Sequence, residues 1–454
     1  MKMKNTKPPV PKPRGKMDDR DKLFLALTII VGAAIFWYGA SSTLTNWLKA
    51  PLLLAILFGS GKLMAHFGKL ENYHGIIILR GEKGFGIMHY FAKYPKLMRA
   101  LADFGLSMGF GMIYSFLIFR NRPKKFIAHF VLVAFFFAAL FLANATEQTG
   151  YWITAIGILG GLLFFGIASL VIQALNILTV PGTTAGAALV VPGVTIPFWE
   201  GLIAIVVAAS VHEIAHGVLA MVEKLEVKNS GAILFGVLPI GAFVEPNEQK
   251  LSALAIHKKR RILIAGTTSN FLVFLLFALL LVPMGSAVMG YSNGVKVETV
   301  VKDSVSNGVL AENEVISAVD GKAMSNVPAF QNYMKGKKEG DKLALTTNLG
   351  DKTLIVGKNG KIGIYPENNF PTENLLVSAL LFIYATFSWI FVINLALAII
   401  NLVPIFLTDG YRLVFEEAKG AFPSKNDSYA KKIAIAAGAL SVILLLINFL
   451  PNFR

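Results

Sequence analysis

Apolar runs long enough to cross a lipid bilayer recur along almost the whole chain. A helix needs roughly 20 apolar residues to span the hydrocarbon core. Only 15% of the 454 residues are charged, against about 25% in an ordinary soluble domain. The chain is therefore predicted to be a polytopic α-helical membrane protein with about eight or nine spans. The candidate spans cover residues 23–40, 47–65, 106–119, 126–145, 151–178, 199–222, 262–289, 375–404 and 433–450.

The segments between these runs divide the chain into five predicted domains. Charged residues and turn signals return only in one long insert, which is expected to be a small, mostly β soluble domain. The predicted bounds are 1–22 for a disordered basic tail, 23–178 for an N-terminal membrane and interfacial region of unknown role, 179–292 and 371–454 for two halves of a membrane core, and 293–370 for the insert.

An apolar segment at residues 230–246 does not fit a spanning helix. It is short and is interrupted by Gly236, Pro239, Gly241 and Pro246. Non-helical backbone at membrane depth persists only where it is buried in protein or lines a cavity. The segment is therefore predicted to be a re-entrant β-hairpin beside a functional site.

Three ionisable residues stand near the middle of the run at 199–222. These residues are His212, Glu213 and His216, and positions i and i+4 of a helix share one face, so both imidazoles can reach one cation. This H-E-x-x-H pattern is typical of zinc metalloproteases, in which the glutamate acts as general base. An accidental match is the alternative, but charged groups inside a span cost roughly 2.5–3.5 kcal/mol each and are functional candidates by default.

A catalytic zinc usually has three protein ligands, so a third is needed. The chain has no cysteine, which leaves histidine or carboxylate. Asp409 follows a long apolar run directly, and Pro404 interrupts the helix before it, which would let the carboxylate turn inward. The alternative is an ordinary aspartate at the end of a helix, in contact with water.

The motifs together resemble the site-2 protease family of intramembrane zinc metalloproteases. HEIAH at 212–216 and NLVPIFLTDG at 401–410 match the paired motifs of that family in order, and GTTSN at 266–270 is similar to its G-x-x-x-N signature. The segments PGVTIPFW at 192–199, before the HEIAH motif, and GAFVEP at 241–246, after it, look like those of archaeal members. Thr408 and Tyr411 depart from the residues that many members carry at these positions.

The resemblance implies a role for each matched residue. His212, His216 and Asp409 would hold one Zn²⁺ per chain, and Glu213 would be the catalytic base. Asn401 would support the substrate backbone or the oxyanion. Asn270 is the other amide assigned to substrate binding or oxyanion support, with interhelical hydrogen bonding as its alternative.

The insert at 293–370 is similar to a PDZ domain. Such domains bind an extended peptide by adding it to a sheet edge. Within this family the resemblance implies that the insert gates substrates, either by binding a peptide or by blocking access.

The predicted function is intramembrane zinc endopeptidase activity in regulated intramembrane proteolysis, with zinc-activated water cleaving a transmembrane segment of a membrane-protein substrate. The alternatives are a polytopic metal-binding transporter, for which no matching halves are found in the sequence, and a catalytically silent membrane scaffold.

The formal net charge of +16 indicates the lipid bilayer as partner rather than nucleic acid, because the chain is so apolar. A multi-pass protein of the cell membrane is expected, with a cytoplasmic N-terminus, the active site toward the cytoplasm and the insert outside. The basic clusters at 120–125 and 257–261 both favour the cytoplasm. Three apparent spans separate them, and an odd number cannot place both on one side.

Overall fold

The computed structural model describes residues 18–81, 84–143, 148–422 and 427–453. Within these residues, nine helices are long and apolar enough to cross a membrane, as the sequence predicts for a polytopic helical protein. The chain forms two compact units, one combining residues up to Leu276 with those from Trp389 onward, the other Phe277–Ser388. The helices are α1 Asp19–Ser41, α2 Asn46–Gly68, α3 Phe85–Ala92, α4 Pro95–Phe119, α5 Pro123–Ala143, α6 Gln148–Thr179, α7 Phe198–Val222, α8 Glu248–Ser252, α9 Ile256–Met289, α10 Val327–Met334, α11 Leu375–Ile400, α12 Asp409–Ala421 and α13 Asp427–Phe449.

The first helix begins earlier than the sequence predicts. Of the expected disordered tail, residues 1–22, residues 1–17 lie outside the described residues, and residues 19–22 belong to α1. Asp18 and Asp21 form a reciprocal cap in which each carboxylate accepts the backbone N–H of the other residue, at 2.7 and 3.4 Å. Such a capping box satisfies two backbone donors that a helix start leaves free, so α1 extends to Asp19.

A four-stranded antiparallel sheet joins distant parts of the first unit. The segment 230–246 lies in a β-hairpin, whose predicted re-entrant position stays a prediction, and the first strand of this hairpin also pairs with residues 76–81, 149 to 159 positions away. Residues 71–81, within the region 23–178 that is predicted to be membrane and interfacial, are therefore part of this sheet. The strands are β1 Glu71–Tyr73, β2 Ile76–Gly81, β3 Val227–Phe235 and β4 Leu238–Pro246, in that spatial order.

Helix α4 folds back on itself at Gly111, whose φ of 73° and ψ of −169° are not helical. The imidazole of His129 shows the reversal, since it lies 2.7 Å from the hydroxyl of Ser107 and its ring centroid lies 5.1 Å from that of Phe119. On a straight helix Ser107 and Phe119 would be about 18 Å apart, which is too far for one imidazole to reach both. The predicted span at 106–119 is thus wrong as a single crossing, because it contains the turn of a helical hairpin.

Helix α6 has the same interruption at Gly161, with φ 69° and ψ −165°. Because the same dihedral angles between helical segments produce the same change of direction, α6 also reverses. A Cβ built on Gly160 would lie 2.5 Å from Cβ of Phe164, whereas Cβ atoms four apart on a regular helix are about 5–6 Å apart. The two reversals touch, since a Cβ on Gly111 would lie 2.4 Å from the nitrogen of Gly161.

These reversals resolve the conflict between the two basic clusters. The carboxylate of Asp103 contacts both Lys125 and Arg261, so the clusters at 120–125 and 257–261 lie on the same face of the protein. With α6 reversed, α5 and α7 are the two crossings expected between the clusters, and an even number agrees with both clusters lying on one side. At the far end of the unit, the carbonyl oxygen of Asn448 accepts a hydrogen bond from the backbone of Gly186.

The second unit contains a six-stranded antiparallel sheet with α10. Its core is apolar and includes Val295, Ile316 and Phe330. The pKa of Asp320 is lowered to about 2 by hydrogen bonds from Lys337, the backbone of Ala344 and Tyr333, so this turn carboxylate is ionised at neutral pH. The strands are β5 Val295–Val300, β6 Val315–Val319, β7 Lys322–Ala323, β8 Lys342–Thr347, β9 Gly350–Ile355 and β10 Ile364–Asn368, in the order β10-β5-β6-β8-β9 with β7 paired to β6.

The reversal at Gly111 makes a prediction about stability. Gly111→Ala should lower the free energy of unfolding by about 2 kcal/mol or more, because the backbone conformation is nearly exclusive to glycine and the new Cβ would lie 2.3 Å from the carbonyl oxygen of Leu159. Gly59→Ala is the control, since no atom lies within 4 Å of its Cβ position in α2. Thermal unfolding in one detergent compares them. Equal midpoints for the two variants would contradict the reversal.

The absence of native cysteine allows a direct test of the arrangement. Single cysteines at Lys124 and Lys258 should react with a membrane-impermeant maleimide from the same side of sealed vesicles. A cysteine at Thr184, near the far end of α13, should react only from the other side. Labelling of positions 124 and 258 from opposite sides would show that α6 crosses the membrane without reversing.

Candidate metal centre

Helix α7 carries the three residues of the first motif. It begins after Pro197 and ends where Lys224 takes a left-handed conformation, with φ of 61°. His212 is 6% exposed, and its ring centroid lies 4.8 Å from that of His216 one turn later. The apolar sequence of the helix therefore presents both imidazoles on one face, as their spacing predicts.

Asp409 is brought to the histidines by the sharp turn between α11 and α12. The hydroxyl of Thr408 donates to the carbonyl of Val403 at 2.6 Å and accepts from the backbone of Tyr411 at 3.4 Å, so Thr408 caps α12. Gly410 donates its N–H to the carbonyl of Asn401 at 2.7 Å. A Cβ on Gly410 would lie 2.0 Å from the carbonyl oxygen of Leu402, which explains why glycine follows the aspartate.

Hydrogen bonds behind each imidazole fix which ring nitrogen carries the proton. Nδ1 of His216 lies 2.7 Å from the carbonyl oxygen of Ile262, which can only accept, so this nitrogen donates. Nδ1 of His212 lies 2.6 Å from Oδ1 of Asn270. The amide of Asn270 is oriented this way because its NH₂ group donates to the carbonyl of Ala208 at 3.0 Å. In the neutral rings both Nε2 atoms therefore present lone pairs.

The two lone pairs converge with one carboxylate oxygen. Oδ2 of Asp409 lies 3.1 Å from Nε2 of His212 and 3.0 Å from Nε2 of His216, and the two Nε2 atoms are 3.1 Å apart. Three acceptor atoms this close repel one another unless a cation lies among them. The ligands of a tetrahedral zinc, each at 2.0–2.1 Å, would be about 3.3–3.4 Å apart. The donor set and its spacing therefore fit a zinc ion.

Helix α9 supports the centre from behind. A Cβ on Gly266 would lie 2.4 Å from Nε2 of His212, so glycine is needed for α9 to pack against this ring. Asn270 is fully buried and also donates to Oδ1 of Asn394 at 2.8 Å. The contact of Asn270 with substrate stays a prediction. These hydrogen bonds disfavour such a contact, because the amide already binds His212.

Glu213 lies at the wall of a cavity of about 530 Å³. Its Oε2 accepts the backbone N–H of Val244 in β4 at 3.1 Å. The cavity is lined by α7, by strands β2 to β4 and by Met88 of α3. The sequence does not predict that β2 and α3 line this cavity. Neither segment belongs to a motif, and no periodicity in the sequence connects them with the metal centre.

Asn401 lies next to the turn that carries Asp409. Its side chain is half-buried, and within the described part of the chain it makes no hydrogen bond. Its predicted support of the substrate backbone stays a prediction. Among the described residues, the amide of Asn401 is free to make that contact, whereas the amide of Asn270 is already hydrogen-bonded.

The fold and the centre define a class, the polytopic membrane proteins with a His-His-Asp group able to hold a metal ion. Residues 200–451, more than half of the chain, match the sequence model of peptidase family M50. The chain is 31% identical over 276 residues to an uncharacterized protein of Methanocaldococcus jannaschii, an alignment that covers 58% of this chain and 71% of that protein. The chain belongs to peptidase family M50, the site-2 protease family. Members of this family are zinc metalloproteases, so the chain is a membrane metallopeptidase by family.

The hydrogen bond to His212 predicts a measurable effect on metal binding. Asn270→Ala should weaken zinc binding by about 10- to 100-fold, because partners of this kind orient the ligand and raise its basicity. Ser269→Ala is the matched control, since the hydroxyl of Ser269 donates to the carbonyls of Val211 and Gly266 and not to a histidine of the centre. Competition with a chelator, followed by metal analysis of the monodisperse protein, measures the difference. Equal zinc affinity in the two variants would contradict the positioning role.

Proposed function

We propose that this protein is an intramembrane zinc endopeptidase that cleaves a transmembrane segment of another membrane protein, and so acts in regulated intramembrane proteolysis. The observation that carries the proposal is the convergence of two histidine lone pairs and one carboxylate oxygen within 3.1 Å. The adjacent Glu213 and the apolar helices around the centre support the same reaction.

His212, His216 and Asp409 would hold one zinc ion per chain. When bound, zinc polarises a peptide carbonyl and lowers the pKa of water, which is the chemistry needed for hydrolysis. The hydrogen bonds from His212 to Asn270 and from His216 to Ile262 keep both Nε2 atoms directed at the metal position. We assign Asn270 to this positioning role.

Glu213 acts as the general base and later as the general acid. The N–H of Val244 holds one carboxylate oxygen of Glu213, which leaves the second oxygen to accept a proton from the attacking water. The same group then gives the proton to the leaving amine, as general acid–base catalysis requires. Asn401 would hold the substrate carbonyl or the oxyanion beside Asp409.

The hairpin of β3 and β4 is suited to receive the substrate. A helical substrate hides its peptide carbonyls in hydrogen bonds, so it must unwind locally before attack. Within the described strands β4 is an edge of its sheet, and because the N–H of Val244 points to Glu213, that edge faces the base. An unwound segment would pair with β4 by strand addition, in a hairpin that is re-entrant at membrane depth.

The second unit would serve as a PDZ-like domain. The antiparallel sheet and the one α-helix, α10, within residues 293–370 are compatible with a fold that takes up an extended peptide. Residues 293–370 would gate substrates in one of two ways, by binding a peptide or by blocking the access of bulky substrates. With the basic clusters on the cytoplasmic side, the N-terminus and active site would face the cytoplasm and this domain the outside.

The alternatives of a transporter and a silent scaffold are not favoured. Interrupted helices do occur in transporters, and α4 and α6 are interrupted. The interruptions of α4 and α6, however, lie at glycines, which offer no side chain to bind an ion. The residues that could hold the metal lie on α7 and α12. A silent scaffold has no need for Glu213 beside these ligands.

The role of Glu213 predicts a separation of metal binding from catalysis. Glu213→Gln should keep bound zinc and lose cleavage by at least about 10²-fold, since the amide cannot accept the proton. The control is Glu200→Gln in the first turn of α7, which should cleave normally. Both are assayed in proteoliposomes with a co-reconstituted membrane-protein substrate. Full cleavage by Glu213→Gln would exclude the mechanism.

A further inference from the structure

A second cavity, of about 370 Å³, lies apart from the metal centre where the turn between α4 and α5 meets the start of α9. Four basic side chains line it together with an apolar wall. The basic residues are Arg122, His257, Arg260 and Arg261, and the apolar ones are Leu106, Ile118 and Phe119.

The charges of this cavity do not balance. Asp103 is its single carboxylate among the described lining residues, and Arg261 contacts it with two nitrogens at 2.8 and 2.9 Å while Lys125 contacts it as well. Arg260 is paired with Glu417 outside the cavity, at 2.6 Å. Arg122 makes no ion pair within the described residues. The cavity therefore keeps an excess of positive charge at its mouth.

The surroundings of the cavity are those of a membrane surface. It lies where α5 and α9, two of the apolar helices, begin. On the same short arm of α4, Ile113, Phe116 and Leu117 are 60%, 56% and 62% exposed. In a membrane protein, side chains this apolar and this exposed face hydrocarbon. A ligand that fills the cavity and its apolar border must therefore have an anionic head and a hydrocarbon tail.

We propose that this cavity binds the phosphate headgroup of an anionic membrane lipid. Arg122 and His257 contact the phosphate at the mouth, and the tails lie along Phe116 and Leu117. Basic pockets between membrane helices recognise anionic headgroups in this way, and guanidinium groups suit phosphate because they can donate two parallel hydrogen bonds. The lipid joins the turn after α4 to the start of α9, beside the ion pairs that Asp103 makes with Lys125 and Arg261 in the same region.

The test uses the full chain in nanodiscs of phosphatidylcholine with and without phosphatidylglycerol. Native mass spectrometry should show retained phosphatidylglycerol, and thermal unfolding should show stabilisation by it. Arg122→Gln should weaken the apparent lipid affinity about fivefold, the effect of one basic residue at a charged surface. This variant is expected to fold, because Arg122 is exposed and unpaired in the described structure. Arg122→Lys, which keeps the charge, should retain most of the affinity.

Lys124→Gln is the matched control. Lys124 is exposed, basic and two residues from Arg122 but does not line the cavity, so this variant should bind lipid like the natural protein. An equal loss in Lys124→Gln would show diffuse attraction to surface charge and overturn the site. No loss in Arg122→Gln would overturn it too. A further arm adds glycerol phosphate in solution at millimolar concentration. Stabilisation by this soluble compound to the same extent would assign the cavity to a free phosphate ester and overturn the lipid.

Discussion

The structure depends on the rule that a polar group inside an apolar helical protein must find its partner within the protein. The chain of contacts behind His212 follows this rule at every step. The carbonyl of Ile390 accepts from the amide of Asn394, whose oxygen accepts from Asn270, whose oxygen in turn accepts from His212. Because a helix carbonyl can only accept, the orientation of each amide is fixed from one end. Three helices thereby determine the tautomer of one imidazole.

Charged groups follow the same rule at the face that carries the basic clusters. Asp103 is 3% and Glu223 is 2% exposed, and each is paired with two basic side chains. Burying a charge is costly unless its partners are well placed, and removal of one partner is strongly destabilising. These contacts therefore fix α4, α5 and α9 against the end of α7, and with them the carbonyl of Ile262, which directly follows Arg261 and holds His216.

The sequence was informative where one local segment contains the whole signal. The spacing of His212 and His216 places them on one face of a helix, and the structure puts Asp409 beside them, at the end of an apolar run. The pairing of β2 with β3 could not be predicted in this way, because no local pattern identifies a partner 150 residues away. Hydropathy also counts α4 and α6 as ordinary spans, since a single glycine barely changes the mean over such a run. The backbone angles and the contacts around Gly111 and Gly161 show the reversals.

The contact between the two reversals has a consequence for how the protein is made. Each reversal frees backbone groups at a depth where lipid offers no hydrogen bonds, so such irregular backbone persists only against other protein. The tip of α4 finds that protein at Leu159 and Gly161, about 50 residues later in the chain. We therefore expect α4 to reach its final position only when α6 is present, so that these two helices assemble as a pair rather than as spans inserted one after the other.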